Sequence, residues 1–492
     1  MCFLEPTTFE RHATHRRLQM TPQRNEPPRG GDVSDHVGRM RSWMPRGELG
    51  TRAALTVFTI PNYRRFVGGQ SLSLIGSWTQ TVAQGLLVLN LTHSGLTLGL
   101  VTATRYLPVL LGTPYAGLIV DRHNKRRMMM LTSMLLAGVS VIVGISVLAR
   151  TIAIWQVFVA AAVFGMVTAV DNPARMALIP ELVGADLIRR AVTTNSIFAN
   201  VGRAVGPAVA AVLIHAFGLG WCFLFNALSF GMVLIALTRL DTRALRAGTA
   251  VRRRGGQLRE GLNVARGNRD IAGPLAMMVF VGTLTYEFEV SLPIFAEQTI
   301  HGGLDGYSWL TSAFGAGAIA AGLVLMRWPQ TGLPRLVVAS AGYAVAMTLI
   351  AFSPTLQAAI AAAVLVGACS IAFLTTGNGT IQLAAPPDMR GRVTGLWTTA
   401  FVGSTPIGAV IIGSIAHSLG GRAALGIGAA GCLAAVLVGL LILRHTGPVQ
   451  CAPRPQIANH HVAAAVTQAA QLPAPIAPGV ATMYVNAQPL TQ

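Results

Sequence analysis

Apolar residues in this chain come in blocks of roughly 20, separated by short clusters of glycine, proline and polar residues. Strings such as "LAAVLVGLLIL" and "AMMVFVGTL" lie inside these blocks. A helix of about 20 residues crosses a hydrocarbon core of about 30 Å. No backbone group can go unpaired there, and the blocks are too long for barrel strands, so each is expected to be helical. The pattern predicts twelve spans, near residues 64–90, 96–120, 127–149, 152–174, 191–217, 220–238, 271–293, 307–328, 335–352, 356–380, 392–416 and 421–444. Links as short as "THSG" and "FGLGW" make their flanking helices antiparallel neighbours. One such block would fit a buried helix of a soluble protein; twelve do not.

Composition agrees. Of 492 residues, 52% are hydrophobic and 11% charged, where a soluble domain carries about a quarter charged residues. The formal charge of +19 raises nucleic acid as a partner, but its distribution removes that reading. Of the 37 basic residues, 33 fall in the tails and the loops after spans 2, 4, 6, 8 and 10, against only Arg150 and Arg422 on the opposite side. Such a bias marks the cytoplasmic face, so both termini are expected there. All 37 but Lys125 are arginine. No cleavable leader is read: residues 1–54 are polar and Arg-rich, so the first span serves as the insertion signal.

The longest internal break, 239–270, divides the spans six and six. The chain therefore reads as a basic disordered cytoplasmic tail (1–60), a six-helix bundle (61–238), a cytoplasmic linker (239–270), a second bundle (271–444) and a disordered tail (445–492) rich in Pro, Ala and Gln. Within the linker, "QLREGLNVARGN" is expected to form an amphipathic helix with Leu258, Leu262 and Val264 toward lipid. The halves also match each other. At an offset of 202 residues Asp186, Arg190, Gly206, His215 and Gly218 meet Asp388, Arg392, Gly408, His417 and Gly420. "GLVLMR", Gly322 to Arg327, repeats "GLIVDR", Gly117 to Arg122, with Met326 in place of the acid.

The loop after span 2 reads "GLIVDRHNKRRMMM", and its Gly117, Asp121, Arg122, Lys125, Arg126 and Arg127 resemble the signature of the major facilitator superfamily. Asn124 stands where that signature has glycine, and asparagine tolerates a left-handed turn better than most residues. A second string in span 5, "GRAVGPAVAA", is similar to a motif of the family's antiporters through Gly202, Gly206 and Pro207, with Ala210 and Ala211 replacing its last glycines. Tight helix packing explains the same small residues. "TATRYLPVLLGTPYAGLIVDR", "AVDNPARMALIPELV" and "PPDMRGRVTGLWTTAFVGSTPIG" resemble the enterobactin-exporter and macrolide-efflux branch, a likeness running from about Tyr63 to Arg444. The resemblance implies an all-α membrane protein of twelve helices in two pseudo-symmetric six-helix bundles. It makes Asp121 a gate residue near the cytoplasmic start of span 11, where a helix N-terminus favours a carboxylate. Arg175 is a neighbouring cation, with Asp171–Arg175 as an inner gate pair or a local i,i+4 contact worth a few tenths of a kcal/mol.

Few charges remain inside the spans. Glu287 and Glu289, in "GTLTYEFEVSLPIF", are the only acids expected to be buried in one, and intramembrane acids are functional candidates. In an unbroken helix two residues two apart lie about 200° apart around the axis, so one acid at most is expected to face inward. Glu287 is preferred as proton carrier because the family's helix 7 lines a central cavity and Thr283 and Tyr286 beside it are polar; a bracing ion pair is the alternative. Arg105, in span 2, is its expected partner, on the family's approach of helices 2 and 7. Arg203, in span 5, matches an arginine of the antiporter motif and has either a gating role or a static partner. Gln70, Ser73, Ser77, Thr81 and Gln84 make one polar face of span 1, toward a cavity or toward interhelical partners. Asn378, with Phe373 and Trp397, is a further cavity candidate.

No phosphate-binding Gly-x-x-x-x-Gly-Lys-Ser/Thr occurs and the single lysine is Lys125, which argues against ATP as the drive. No His/Cys cluster has metal-ligand spacing, no nucleophile–base pair stands out, and Cys222, Cys369 and Cys432 lie in apolar blocks as packing residues. The expectation is a monomeric secondary transporter of a bacterial cytoplasmic membrane, not an enzyme. It needs no cofactor beyond the proton gradient, and it exports a small amphipathic organic compound by alternating access. A proton-coupled uptake symporter and a non-transporting receptor or secretion accessory are the rival readings.

Overall fold

The computed structural model describes residues 56–245, 257–327, 331–386 and 389–445. The tails expected at 1–60 and 445–492 lie outside the described residues, apart from 56–60 and 445. Helix α1 spans Pro61–Thr92, α2 Gly95–Arg122, α3 Lys125–Leu148, α4 Ile154–Val183, α5 Ile188–Phe217 and α6 Gly220–Thr238. A short helix, Gln257–Gly267, stands where the linker helix was expected, with Leu262 exposed and Ala265 buried; the Leu258 side chain lies outside the described residues. Then come α7 Arg269–Leu284, continued after a break by Phe288–Ile294, and α8 Gly303–Arg327, α9 Leu333–Ala351 and α10 Leu356–Ala384. The helical stretch Arg390–His445 holds two helices that meet at Gly420; we call the part before it α11 and the part after it α12. By length and composition, eleven helices among the described residues can cross a membrane, Arg390–Arg444 counted as one.

Local chemistry sets the helix ends. Pro61 sits in the first turn of α1, where its missing N–H costs nothing. Ser94 caps α2 by accepting a hydrogen bond from the Thr97 amide (3.3 Å), and Thr355 caps α10 by accepting one from Ala358 (3.3 Å). Asn124 corrects an expectation: its φ is −69°, not left-handed, and its side chain accepts from the Arg127 amide (3.1 Å) as the N-cap of α3. Helix α4 runs to Val183 rather than 174, through Pro173 and Pro180. Such prolines are tolerated in a membrane because neighbouring groups satisfy the freed carbonyls.

The internal repeat is visible in the backbone. Gly218 after α5 has φ 96° and ψ 170°, and its partner 202 residues on, Gly420 after α11, has φ 83° and ψ 174°. An L side chain is strained at such angles, so glycine recurs where the same turn recurs. The halves, α1–α6 and α7–α12, meet along α2 with α11 and α5 with α8. Both seams rest on small residues. A Cβ on Gly99 would collide with the Ala409 carbonyl, and one on Gly315 would come within 2.5 Å of the Ala204 Cα. Backbones that close gain dispersion contact without side chains between them. Outward, Leu111, Ile142, Val212, Leu228, Val338 and Leu437 are exposed, as a lipid-facing surface requires.

Gly99→Val should destabilise the protein by about 1–3 kcal/mol, the usual cost of overpacking, measured by denaturant titration in detergent. Gly138→Ala, at a position in α3 with nothing near its Cβ site, should show no loss under the same conditions.

Candidate functional site

Helix α7 stops at Leu284 with Thr285 as its C-cap, and the chain leaves helical geometry by Glu287 (φ −83°, ψ 44°) before Phe288–Ile294 resumes it. Thr285 directs its hydroxyl to the Gly428 carbonyl of α12 (2.7 Å). Beyond the break, Pro293 has no N–H to donate to the Glu289 carbonyl. Irregular backbone at membrane depth is tolerated where it lines a cavity. This one does.

The cavity encloses about 150 Å³ between the two halves. From the first half come Trp78 of α1, Thr102 and Tyr106 of α2, and Arg203 of α5. From the second come Tyr286 to Glu289 at the break, Tyr307, Thr311 and Phe314 of α8, and Phe401, Val402 and Thr405 of α11. Glu287 is only 2% exposed, and its Oε1 is buried without a hydrogen-bond partner among the described residues. Glu289 accepts a hydrogen bond from the Tyr106 hydroxyl at 2.9 Å, a direct link from α2 to the α7 break. The Arg203 guanidinium lies 4.8 Å from the Trp78 ring centre and 5.8 Å from that of Phe314. Tyr286 stands edge-on to Phe401 at 5.0 Å and donates to the Ser370 carbonyl at 2.8 Å. Gly408 of α11 faces the break, since a Cβ there would sit 2.8 Å from Glu287 Oε1.

Several expectations need correction. Glu289 lines the same cavity as Glu287, because the break abolishes the 200° separation of an unbroken helix. Arg105 makes no ion pair with Glu287 among the described residues. It donates to the Thr81 hydroxyl (3.2 Å) and lies 4.7 Å over the Phe164 ring, while the next residue, Tyr106, is the one that turns toward α7. The polar face of α1 looks into the first bundle. Gln70, Ser73 and Ser77 line a separate pocket of about 180 Å³ with Arg105, Asp171 and Arg175, and Gln84 lines a small recess beside Gln80. Asn378 is not among the cavity-lining residues and accepts from Gln382 within α10 (3.1 Å). Phe373 stacks against Trp397 (6.3 Å) away from the cavity lining.

Asp171 and Arg175 pair at 2.8 Å within α4, and Asp171 also accepts from the Thr132 hydroxyl of α3 at 2.6 Å. At the end of α2, the Asp121 side chain lies outside the described residues, while Gly117 and Arg122 sit in its final turns. Lys125 pairs with Glu181 of α4 at 2.8 Å, and Arg126 donates to the Leu237 and Thr238 carbonyls at the end of α6. In α5, Gly202 and Gly206 press on Leu74, Ile75 and Trp78 of α1, the Thr79 hydroxyl donates to the Gly206 carbonyl (3.0 Å), and Pro207 lies inside the helix. Tyr106, Phe314 and Thr405 went unread in the sequence. The pattern held one usable signal, a tyrosine beside the intramembrane Arg105.

The model of a family described as transmembrane secretion effector matches residues 53–472. The chain is similar to the staphyloferrin A transporter of Staphylococcus aureus, 28% identical over 35% of this chain and 43% of that protein. It is similar to macrolide efflux protein A of Streptococcus pyogenes, 24% identical over 52% of this chain and 64% of the relative, so it spans less than two thirds of either. With the enterobactin exporter EntS of Salmonella choleraesuis it shares 23% identity over 78% of this chain and 91% of the exporter. A solved bacterial homologue of the human lysosomal transporter Spinster has the same fold, with a TM-score of 0.61 at 14% identity over 78% of this chain and 96% of that one.

Tyr106→Phe and Glu289→Gln should couple by about 0.5–1.5 kcal/mol in a double-mutant cycle on stability, the net worth of a typical hydrogen bond. Strict additivity would remove it.

Proposed function

The chain belongs to the transmembrane secretion effector family of the major facilitator superfamily, membrane transporters and not enzymes, and from that premise we propose that it exports a small amphipathic organic compound in exchange for protons. Twelve spans cross the membrane, with the break at Gly420 dividing the last two. The basic loops and both termini face the cytoplasm of a bacterial inner membrane, a placement supported by the 33-to-2 distribution of positive charge. The halves rock about the shared cavity, exposing it to each side in turn. The relatives' names speak of efflux and export for two of the three, which favours the outward direction over uptake. The transporter works as a monomer without a cofactor.

Glu287 carries the reading. A buried carboxyl oxygen with no partner, in a cavity shared by both halves, is costly. Binding a proton removes the cost, and releasing it restores a charge that the next conformation must answer. Glu287 is the proton carrier. Arg203, not Arg105, is the cation that shares its cavity. Arg105 supports the first bundle through Thr81. Asp121, Arg122, Lys125 and Arg126 act at the cytoplasmic gate, with Lys125 and Arg126 tying α3 to α4 and α6. Gly202, Gly206 and Pro207 serve the α1–α5 contact.

Compounds retained by cells lacking the chain and lost from cells expressing it identify the cargo. In everted vesicles, a pH gradient acid inside should drive uptake of that cargo, and a protonophore should abolish it. Glu287→Gln, assayed at saturating cargo, should still carry cargo down its own gradient yet lose the component driven by the pH gradient. Full-rate, gradient-driven transport by this variant would remove Glu287 from the mechanism, and greater accumulation in expressing cells would reverse the direction to uptake.

A further inference from the structure

We infer that the cavity between the halves is built for an organic cation, a protonated or quaternary amine on an aromatic or aliphatic body. This deepens the transport reading and rests on it only for the identity of the site.

Charge and surface both point that way. Two carboxyl groups, Glu287 and Glu289, share the cavity with one guanidinium, Arg203. The guanidinium already lies against two aromatic rings, at 4.8 and 5.8 Å. Glu287 Oε1 has no such company: it is buried and unpartnered. Glu289 is held at its place by Tyr106. Arg203 Nε is also buried without a partner, so an anion would find one donor group there. It would have to face two carboxyls to reach it. Once Glu287 has released its proton, a cation meets the opposite balance, and complementary potential decides which partner is rejected.

The walls suit the same ligand. Tyr286, Phe288, Phe314 and Phe401 form a run of ring contacts, Tyr286 with Phe401 at 5.0 Å and Phe288 with Phe314 at 4.8 Å, directly beside the two acids. Aromatic faces attract ammonium groups, and quaternary ammonium ions are bound in such cages. A void of about 150 Å³ takes roughly one aromatic ring, so the first probe should be small. Larger cargo enters only when the halves part.

The test is equilibrium binding to the full chain in nanodiscs, by calorimetry, with two probes of like shape and opposite charge: benzyltrimethylammonium and phenylmethanesulfonate. The cation should bind at least about tenfold tighter than the anion, and Glu287→Gln should weaken the cation by about tenfold or more, or about 1.4 kcal/mol. Equal or tighter binding of the sulfonate, binding of neither probe, or cation binding untouched by Glu287→Gln and Glu289→Gln each overturns the inference. The comparison on the unaltered protein stands even if a variant fails to fold. Because binding at equilibrium needs no gradient, a protein that binds the cation but moves nothing contradicts only the transport reading. One that exports anions contradicts only this inference.

Discussion

The site is organised around one close contact: α7 leaves its helix after Leu284, beside the point where Gly408 of α11 lies against it. A Cβ on Gly408 would collide with the Thr283 carbonyl and crowd the Glu287 side chain. Glycine at 408 lets the two backbones touch, and the space this leaves beside α11 is filled by the carboxyl stem of Glu287. The chain then turns through Thr285 to Glu287 and re-enters a helix at Phe288. Free backbone groups at this depth are affordable only beside a cavity. The break therefore does two things with one deformation. It lines a largely apolar hole between the halves, and it brings two acids, two residues apart, onto its wall.

The duplicated architecture makes this asymmetry readable. Gly206 of α5 and Gly408 of α11 are equivalent by the 202-residue repeat. Gly206 presses on α1 at Ile75 and Trp78, as Gly408 presses on α7 at Thr283 and Glu287. In the first half the contact is answered by the Thr79 hydroxyl bonding to the Gly206 carbonyl, and α1 stays helical from Pro61 to Thr92. In the second half the helix breaks. Two copies of one packing device thus give a straight wall bearing Trp78 and a bent wall bearing Glu287.

What the sequence revealed and what it hid divide along the same line. The lengths and ends of most helices and the matching turns at Gly218 and Gly420 follow from hydropathy and glycine placement, since these act locally. Glu287 was legible because an acid in an apolar block is rare. Its neighbourhood was not. Facing is computed from a helical period, and the period fails at Thr285–Glu287, so Glu289 was turned the wrong way. Arg105 and Tyr106 are adjacent, and periodicity cannot tell which of them meets α7. The polar face of α1 was correctly a single face, but a face does not state which neighbour covers it. Packing of α3, α4 and α6 decided that, and it put Gln70, Ser73 and Ser77 inside the first bundle.

That internal placement has a mechanical consequence. Within the first half, Gln80 accepts from both Ser140 (2.8 Å) and Asn226 (2.7 Å), joining α1, α3 and α6. Asp171 ties α4 to Thr132 of α3, and Arg105 ties α2 to Thr81 of α1. Buried polar groups satisfied by one another resist rearrangement, since each broken bond leaves a desolvated donor or acceptor. Between the halves the described contacts are of another kind: glycine against backbone along α2–α11, Ala204 against Gly315, the Tyr106–Glu289 hydrogen bond, and an exposed His215–Asp305 pair at 2.7 Å. Among the described residues, the side-chain hydrogen bonds named for the first half join α1, α2, α3, α4 and α6 to one another, while the cavity lies on the seam between the halves.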